Sequence, residues 1–264
     1  MKRSKLITII FFLLASIFPM FGSAENLFID TPLQEIEFHK NLPLPKAWRI
    51  CYPNCNDENK MQLNLTNKEG GFFAIEQLHF FEEDFFDVKT IEKQENIEFL
   101  FQLKNGLVHP ISKLSYNISR STHKLDLKIS SSEPISIRIR ANEILHSENI
   151  VGLGGLYNGT SLISFSSKGI EEMKQASILN NSEKLWHGAR SRFWSFLISP
   201  SETVQSYLIN EIETNSNSFA LNSNSESGEY HFILYYGPIE RSALMSVSSQ
   251  LKDLLYTALW DWLR

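Results

Sequence analysis

Hydrophobic and polar positions alternate with a period of two through the middle of the chain. In "HKLDLKIS" Leu125, Leu127 and Ile129 are interleaved with polar residues, and in "PISIRIRA" Ile135, Ile137 and Ile139 are interleaved with Ser136, Arg138 and Arg140. Successive side chains of a strand point to opposite faces, so these stretches predict strands with one buried and one wet face. "IEFLFQL" (97–103), "VQSYLINEI" (204–212) and "YHFILYY" (230–236) are richer in apolar residues and predict more deeply buried strands. Polar clusters at 67–71, 104–106 and 215–228 punctuate them, and the last, "NSNSFALNSNSESG", reads as a hairpin tip or surface loop. Many short strands separated by turns predict a mainly β sandwich.

The period changes after Pro238. Leu244, Val247, Leu251, Leu254, Ala258 and Trp262 recur at three- and four-residue spacing, which predicts an amphipathic C-terminal helix over about 240–263. Two destinations stay open for its apolar face. It closes the end of the sandwich, or it makes peripheral membrane contact through Leu255, Leu259, Trp260 and Trp262, since Trp favours the membrane interface.

The N-terminus adds a targeting expectation. Lys2, Arg3 and Lys5 precede an apolar run from Leu6 to Phe21 and a small-residue exit, Gly22-Ser23-Ala24. That order predicts a signal peptide over 1–24 and a single exported domain over 25–264. Removing the segment would take three positive charges from a formal net charge of −5. An acidic exported domain argues against nucleic acid as a partner.

Candidate chemistry is sparse. Cys51 and Cys55, in "CYPNC", are the only cysteines. In an oxidising compartment they suit a small disulfide loop, with two free thiols or half a zinc site as the rival readings. The seven His are scattered without ligand spacing, so no metal is expected, and no cofactor motif is visible. "GLGGLYNGT" (152–160) lacks the ending of a phosphate loop. Glu82, Glu83, Asp84 and Asp87 read as a solvated cluster, and no nucleophile signature appears, so no catalytic residue is assigned. The densest stretch is "LWHGARSRFWSFLISP" (185–200). A continuous period of two places Arg190, Arg192, Trp194, Phe196 and Ile198 on one face, with Phe193 and Leu197 on the other. Phe193 and Leu197 are then expected in the core, Trp194 and Phe196 under the C-terminal helix, and Arg190, Arg192 and Trp194 are candidates for a contact surface.

Three stretches together resemble the periplasmic domain of YidC-type membrane protein insertases, of the YidC/Oxa/Alb family: "WHGARSRFWSFLISP", "YHFILYYGPIERSAL" and "LKDLLYTALWDWL", with "NKEGG" as a weaker echo upstream. The resemblance implies a β-supersandwich, similar in fold to galactose mutarotases, and a periplasmic location. The family's insertase activity resides in transmembrane helices that this sequence does not contain. The resemblance therefore implies a non-enzymatic, chaperone-like role in membrane protein insertion. Its expected partners are an inner-membrane insertase or translocon components and nascent membrane proteins. The alternative is a carbohydrate-binding or mutarotase-like protein, which needs a His and a carboxylate converging on a sugar; His187 and Glu183 are the pair named for it, on proximity alone.

Overall fold

The computed structural model describes residues 27–39, 42–58, 60–66, 72–78, 85–140, 161–166, 169–172, 178–180, 184–191, 193–201, 204–211, 216–223 and 228–255. The expected signal segment, the acidic cluster at 82–84 and the glycine-rich stretch at 152–160 lie outside them.

Eighteen strands form three antiparallel sheets among the described residues. The first sheet has four strands in chain order: β1 (Phe28–Asp30), β2 (Gln34–Phe38), β3 (Pro45–Tyr52) and β4 (Met61–Thr66). The chain then supplies β5 (Phe73–Ile75), β6 (Phe86–Glu92), β7 (Asn96–Leu103), β8 (Ile111–Ser119), β9 (Lys124–Ser131) and β10 (Ser136–Arg140). It continues through β11 (Ser161–Ser166), β12 (Gly169–Glu172), β13 (Ile178–Asn180), β14 (Lys184–Arg190) and β15 (Trp194–Pro200). The last strands are β16 (Val204–Glu211), β17 (Ser216–Ser223) and β18 (Gly228–Pro238). Five of these form a second sheet in the order β13-β16-β17-β10-β5, and nine form the largest, β12-β11-β14-β15-β18-β9-β8-β7-β6.

The inner face of the nine-stranded sheet packs on the other two. Leu125, Leu127 and Ile129 of β9 and Phe232, Leu234 and Tyr236 of β18 are buried in one cluster with Ile36, Trp48, Ile50, Ile137 and Ile139 from the facing sheets. Aromatic rings bridge the layers edge to face: Trp48 lies 5.3 Å from Tyr236 and 6.0 Å from Phe196, and Phe38 lies 5.2 Å from Phe99. Such pairs add to the area their burial removes from water. Two polar ring atoms in this core are satisfied locally. Trp48 Nε1 donates to Gln34 Oε1 at 3.0 Å, and the Tyr116 hydroxyl donates to the Pro43 carbonyl at 2.7 Å.

Three sequence expectations need correction. The polar run 215–228 contains β17, an interior strand of the five-stranded sheet, with Ser218, Ala220 and Leu221 buried. Small polar residues fit there because both neighbours satisfy the backbone ladder, so pairing overrides a composition that favours loops. The C-terminal helix is also broken. Helix α1 spans Arg241–Val247, Ser248 is extended, and a 3-10 turn follows at Ser249–Lys252. Ser248 terminates one element and caps the next, its hydroxyl accepting from the Gln250 N–H, which is how Ser competes with a continuous helix. The apolar spacing survives the break: Leu244, Leu251 and Leu254 are all buried.

The third correction concerns the two faces of 190–198. Trp194, Phe196 and Ile198 belong to the core between the sheets, Leu197 lies under the C-terminal segment, and Phe193 is exposed. The turn between β14 and β15 interrupts the period. Arg190 pairs with Ser195, so it shares a face with Ser195 and Leu197 rather than with Trp194.

Candidate functional site

The outer face of the nine-stranded sheet divides into two halves. On β11, β14, β15 and β18 it carries Ile163, Phe165, Trp186, Leu197 and Tyr235, which bury against Ala243 and Leu244 of α1 and against Leu251 and Leu254 beyond it. Glu240 starts this cover as the N-cap of α1, its carboxylate accepting from the Ala243 N–H at 3.0 Å. Hydrogen bonds from Ser242 and the backbone hold that carboxyl below its ordinary range, offsetting its slight desolvation.

The other half, on β7, β8, β9 and the start of β18, is polar. The registers set Ile233 opposite Asp126, Asp126 opposite Asn117, and Asn117 opposite Glu98, so one row crosses four adjacent strands. The next row sets His231 opposite Lys128 and Lys128 opposite Ser115. Asp126 is the hub. Its Oδ1 lies 3.3 Å from His231 Nε2 and its Oδ2 lies 3.0 Å from Lys124 Nζ. Its side chain is 17% exposed and that of His231 38%, so both are half-open to solvent. Glu98 meets Lys93 at 3.8 Å. Between the two carboxylates, Asn117 Oδ1 is buried and accepts no hydrogen bond within the described structure.

The arrangement offers carboxylate acceptors, an amide and an imidazole at a half-open surface, a set suited to a ligand with many hydroxyls. The His231–Asp126 pair also has the parts of a proton-transfer couple, an imidazole oriented by a carboxylate. No group of three potential ligands for a metal occurs among the described residues.

Beside this face lies a junction with the four-stranded sheet. Cys51 and Cys55 are joined as a disulfide, with Cα atoms 4.9 Å apart. His123 is buried against it, its Nε2 within 3.4 Å of the Cys51 carbonyl, and its ring meets Tyr235 edge to face at 6.2 Å. Burial lowers the His123 pKa to about 4, against a smaller upward contribution from the Cys51 carbonyl. Burial also raises the Tyr235 hydroxyl well above its ordinary range, with smaller contributions from Glu240 and Tyr52.

Most residues singled out from sequence lie elsewhere. Arg190 is 8% exposed and its Nε donates to Ser161 Oγ at 3.4 Å, and Trp194 is buried between the sheets, so neither presents a contact surface. Leu255 is partly buried against the second cluster. Arg192, Leu259, Trp260, Trp262 and Glu183 lie outside the described residues. His187 is fully buried on the inner face, its Nδ1 3.2 Å from Ser164 Oγ, and cannot meet a sugar on the outer face. The residues that sequence reasoning passed over are Asp126 and His231. The available signal was the polar phase of β9, Lys124-Asp126-Lys128, whose partner in β18 is far away in the chain.

No family model matches the chain, and no curated protein matches it. Among solved structures it is similar to the α-N-acetylgalactosaminidase NagBb from Bifidobacterium bifidum. The TM-score is 0.49 at 7% identity, covering 80% of this chain and 36% of that one, so the chain spans about a third of that enzyme. It is also similar to the candidate mutarotase YeaD from Salmonella typhimurium, with a TM-score of 0.46 at 7% identity over 80% of this chain and 90% of that one. A third is a candidate aldose 1-epimerase from Escherichia coli K12, with a TM-score of 0.40 at 7% identity over 80% of this chain and 98% of that one. Similarity at this level says nothing about chemistry. The expected mainly β fold class stands: antiparallel sheets pack as a sandwich, with a short C-terminal helix, among the described residues.

The resemblance to YidC-type periplasmic domains is corrected by the same comparisons. No family model and no curated protein of that kind matches the chain. With it falls the expectation of a chaperone-like role in membrane protein insertion. Among the described residues no helix is long and apolar enough to cross a membrane.

Proposed function

We propose that this protein binds a small carbohydrate on the polar half of the outer face of its nine-stranded sheet. The observation that carries the reading is the row Asp126–Asn117–Glu98, placed in register on three adjacent strands with the buried Asn117 Oδ1 unpartnered. Strands lie about 4.8 Å apart, so the row is about 10 Å wide, enough for a sugar ring and its hydroxyls. A carboxylate accepts from neighbouring hydroxyls through charge-assisted hydrogen bonds. Lys128, exposed beside His231, adds a donor.

The test is a titration of the protein with a panel of mono- and disaccharides, followed by NMR. Saturable shifts are expected at residues 98, 117, 124–128 and 231. Asp126→Asn should weaken binding by at least about tenfold, or about 1.4 kcal/mol. No saturable shift with any sugar, or shifts unaffected by the substitution, would reject the reading.

The His231–Asp126 pair favours a second reading, in which the bound sugar is also mutarotated. Opening an aldose ring needs a proton removed from one oxygen and supplied to another, and an imidazole near a carboxylate performs such transfers. Polarimetry on fresh α-aldose decides it: a protein-dependent acceleration abolished by His231→Ala supports turnover, and binding without acceleration leaves a lectin-like role.

A further inference from the structure

The turn that leads out of β7 carries chemistry unrelated to the outer face. Asn105 and Gly106 occupy its two central positions, and the Leu107 N–H donates to the Lys104 carbonyl across them at 3.2 Å. Gly106 has φ +86°, the positive value that type II and type I′ turns place at their third residue. Both residues are exposed, and a Cβ added at Gly106 would meet nothing within 4 Å. No hydrogen bond within the described structure engages the Asn105 carboxamide or the Gly106 N–H. The stem is held in place, the Lys104 N–H donating to the Phe85 carbonyl at 2.9 Å.

We propose that Asn105-Gly106 is a site of spontaneous self-modification, in which Asn105 is converted to aspartate and isoaspartate. The Gly106 backbone nitrogen attacks Cγ of Asn105. The N–Cγ bond forms, the Cγ–Nδ2 bond breaks, and Nδ2 leaves as ammonia, carrying the proton lost from Gly106. The product is a five-membered succinimide. Water then opens it at Cγ to give aspartate, or at the Asn105 backbone carbonyl carbon to give isoaspartate. Each event adds one negative charge, and the isoaspartate product adds a methylene to the main chain inside the turn.

Three features favour this position over other asparagines. A glycine nitrogen carries no side chain to shield its approach. The carboxamide is free to rotate toward it. The turn also lies in solvent, where water completes the reaction. Asn117 and Asn222 provide internal contrasts. Asn117 is followed by the β-branched Ile118 inside β8, and Asn222 by Ser223, whose N–H is bound to the Ile135 carbonyl at 2.9 Å. Their nitrogens are shielded or held in ladders, so both should persist.

The experiment incubates the intact folded protein in mildly alkaline buffer at physiological temperature. Peptide mapping by mass spectrometry follows, with electron-transfer fragmentation to separate aspartate from isoaspartate. Conversion at Asn105 should outpace conversion at Asn117 and Asn222 by at least about tenfold and quicken as pH rises, because the attacking nitrogen must lose its proton. Gly106→Ala should slow it by about tenfold through steric shielding. Because alanine is strained at this φ, Asn105→Gln serves as a second variant, in which ring closure needs a larger ring and modification should fall to background. An Asn105 that stays intact in the folded protein while the same position converts in urea-unfolded chain would overturn the proposal, as would conversion rates equal to those of Asn117 and Asn222.

Discussion

The two faces of the nine-stranded sheet are built from the same strands but to different rules. On the inner face, β9 and β18 present Leu125, Leu127, Phe232 and Tyr236 to a continuous apolar core. On the outer face the same strands present Lys124, Asp126, Lys128 and His231. A solvent-facing polar surface is ordinary for an antiparallel sheet. What sets this one apart is that α1 and the 3-10 turn cover the apolar part and stop short of the polar part. The inner face therefore holds the molecule together, and the polar outer face is free to differ without cost to the fold.

Substitutions can break that contrast, beginning with the deepest. Trp48→Ala, at the meeting of both layers, should cost about 3–5 kcal/mol in chemical denaturation and also strand the Gln34 side chain. Leu244→Ala probes whether the covered half behaves as true core. A loss of about 2–4 kcal/mol with cooperative unfolding would show that it does, whereas a change under about 0.5 kcal/mol would make the C-terminal segment an ornament. Replacing Cys51 and Cys55 together by Ser should cost about 2 kcal/mol, small because the closed loop is short.

The pH response is gentler. His123 has a folded pKa of about 4, below its ordinary value, so the unfolded chain binds the proton first. Its contribution is present above the unfolded value near pH 6.5 and is lost progressively as pH falls from there through about 4. His123→Gln should flatten the stability curve over that window. The smallest effect belongs to the outer face: Asp126→Asn should shift stability by no more than about 0.5 kcal/mol, since its partners are partly exposed. A larger loss would mean that the polar face is structural after all.

The strands were legible in the sequence wherever one face was apolar. Alternation in β9 and β10 marks both the element and the direction it faces. Composition misled at β17, because Ser and Asn at interior positions are accepted once neighbouring strands supply hydrogen bonds that no local pattern announces. Periodicity also fails across a turn: three residues between β14 and β15 were enough to exchange the faces assigned to Trp194 and Leu197. The candidate site was hardest to read. His231 and Asp126 are separated by 105 residues and meet only because β18 pairs with β9, a choice of partner made by the whole sheet. His187 attracted notice because it stands four residues after Glu183 in the aromatic-rich stretch, although its strand turns it inward.

The place of β18 bears on how the chain assembles. It is the last strand of the described structure, yet it lies between β15 and β9 near the middle of the largest sheet. As the chain emerges in order, β6 to β9 can zip together through neighbouring hairpins, but β9 keeps a bare rim of N–H and C=O groups until residues 228–238 arrive. Pairing that depends on such distant segments is slow, and an open rim is an invitation to other strands. Maturation should therefore wait for residues 228–238, and a pulse-labelled chain halted before residue 228 should stay sensitive to protease while one extended past residue 255 becomes resistant.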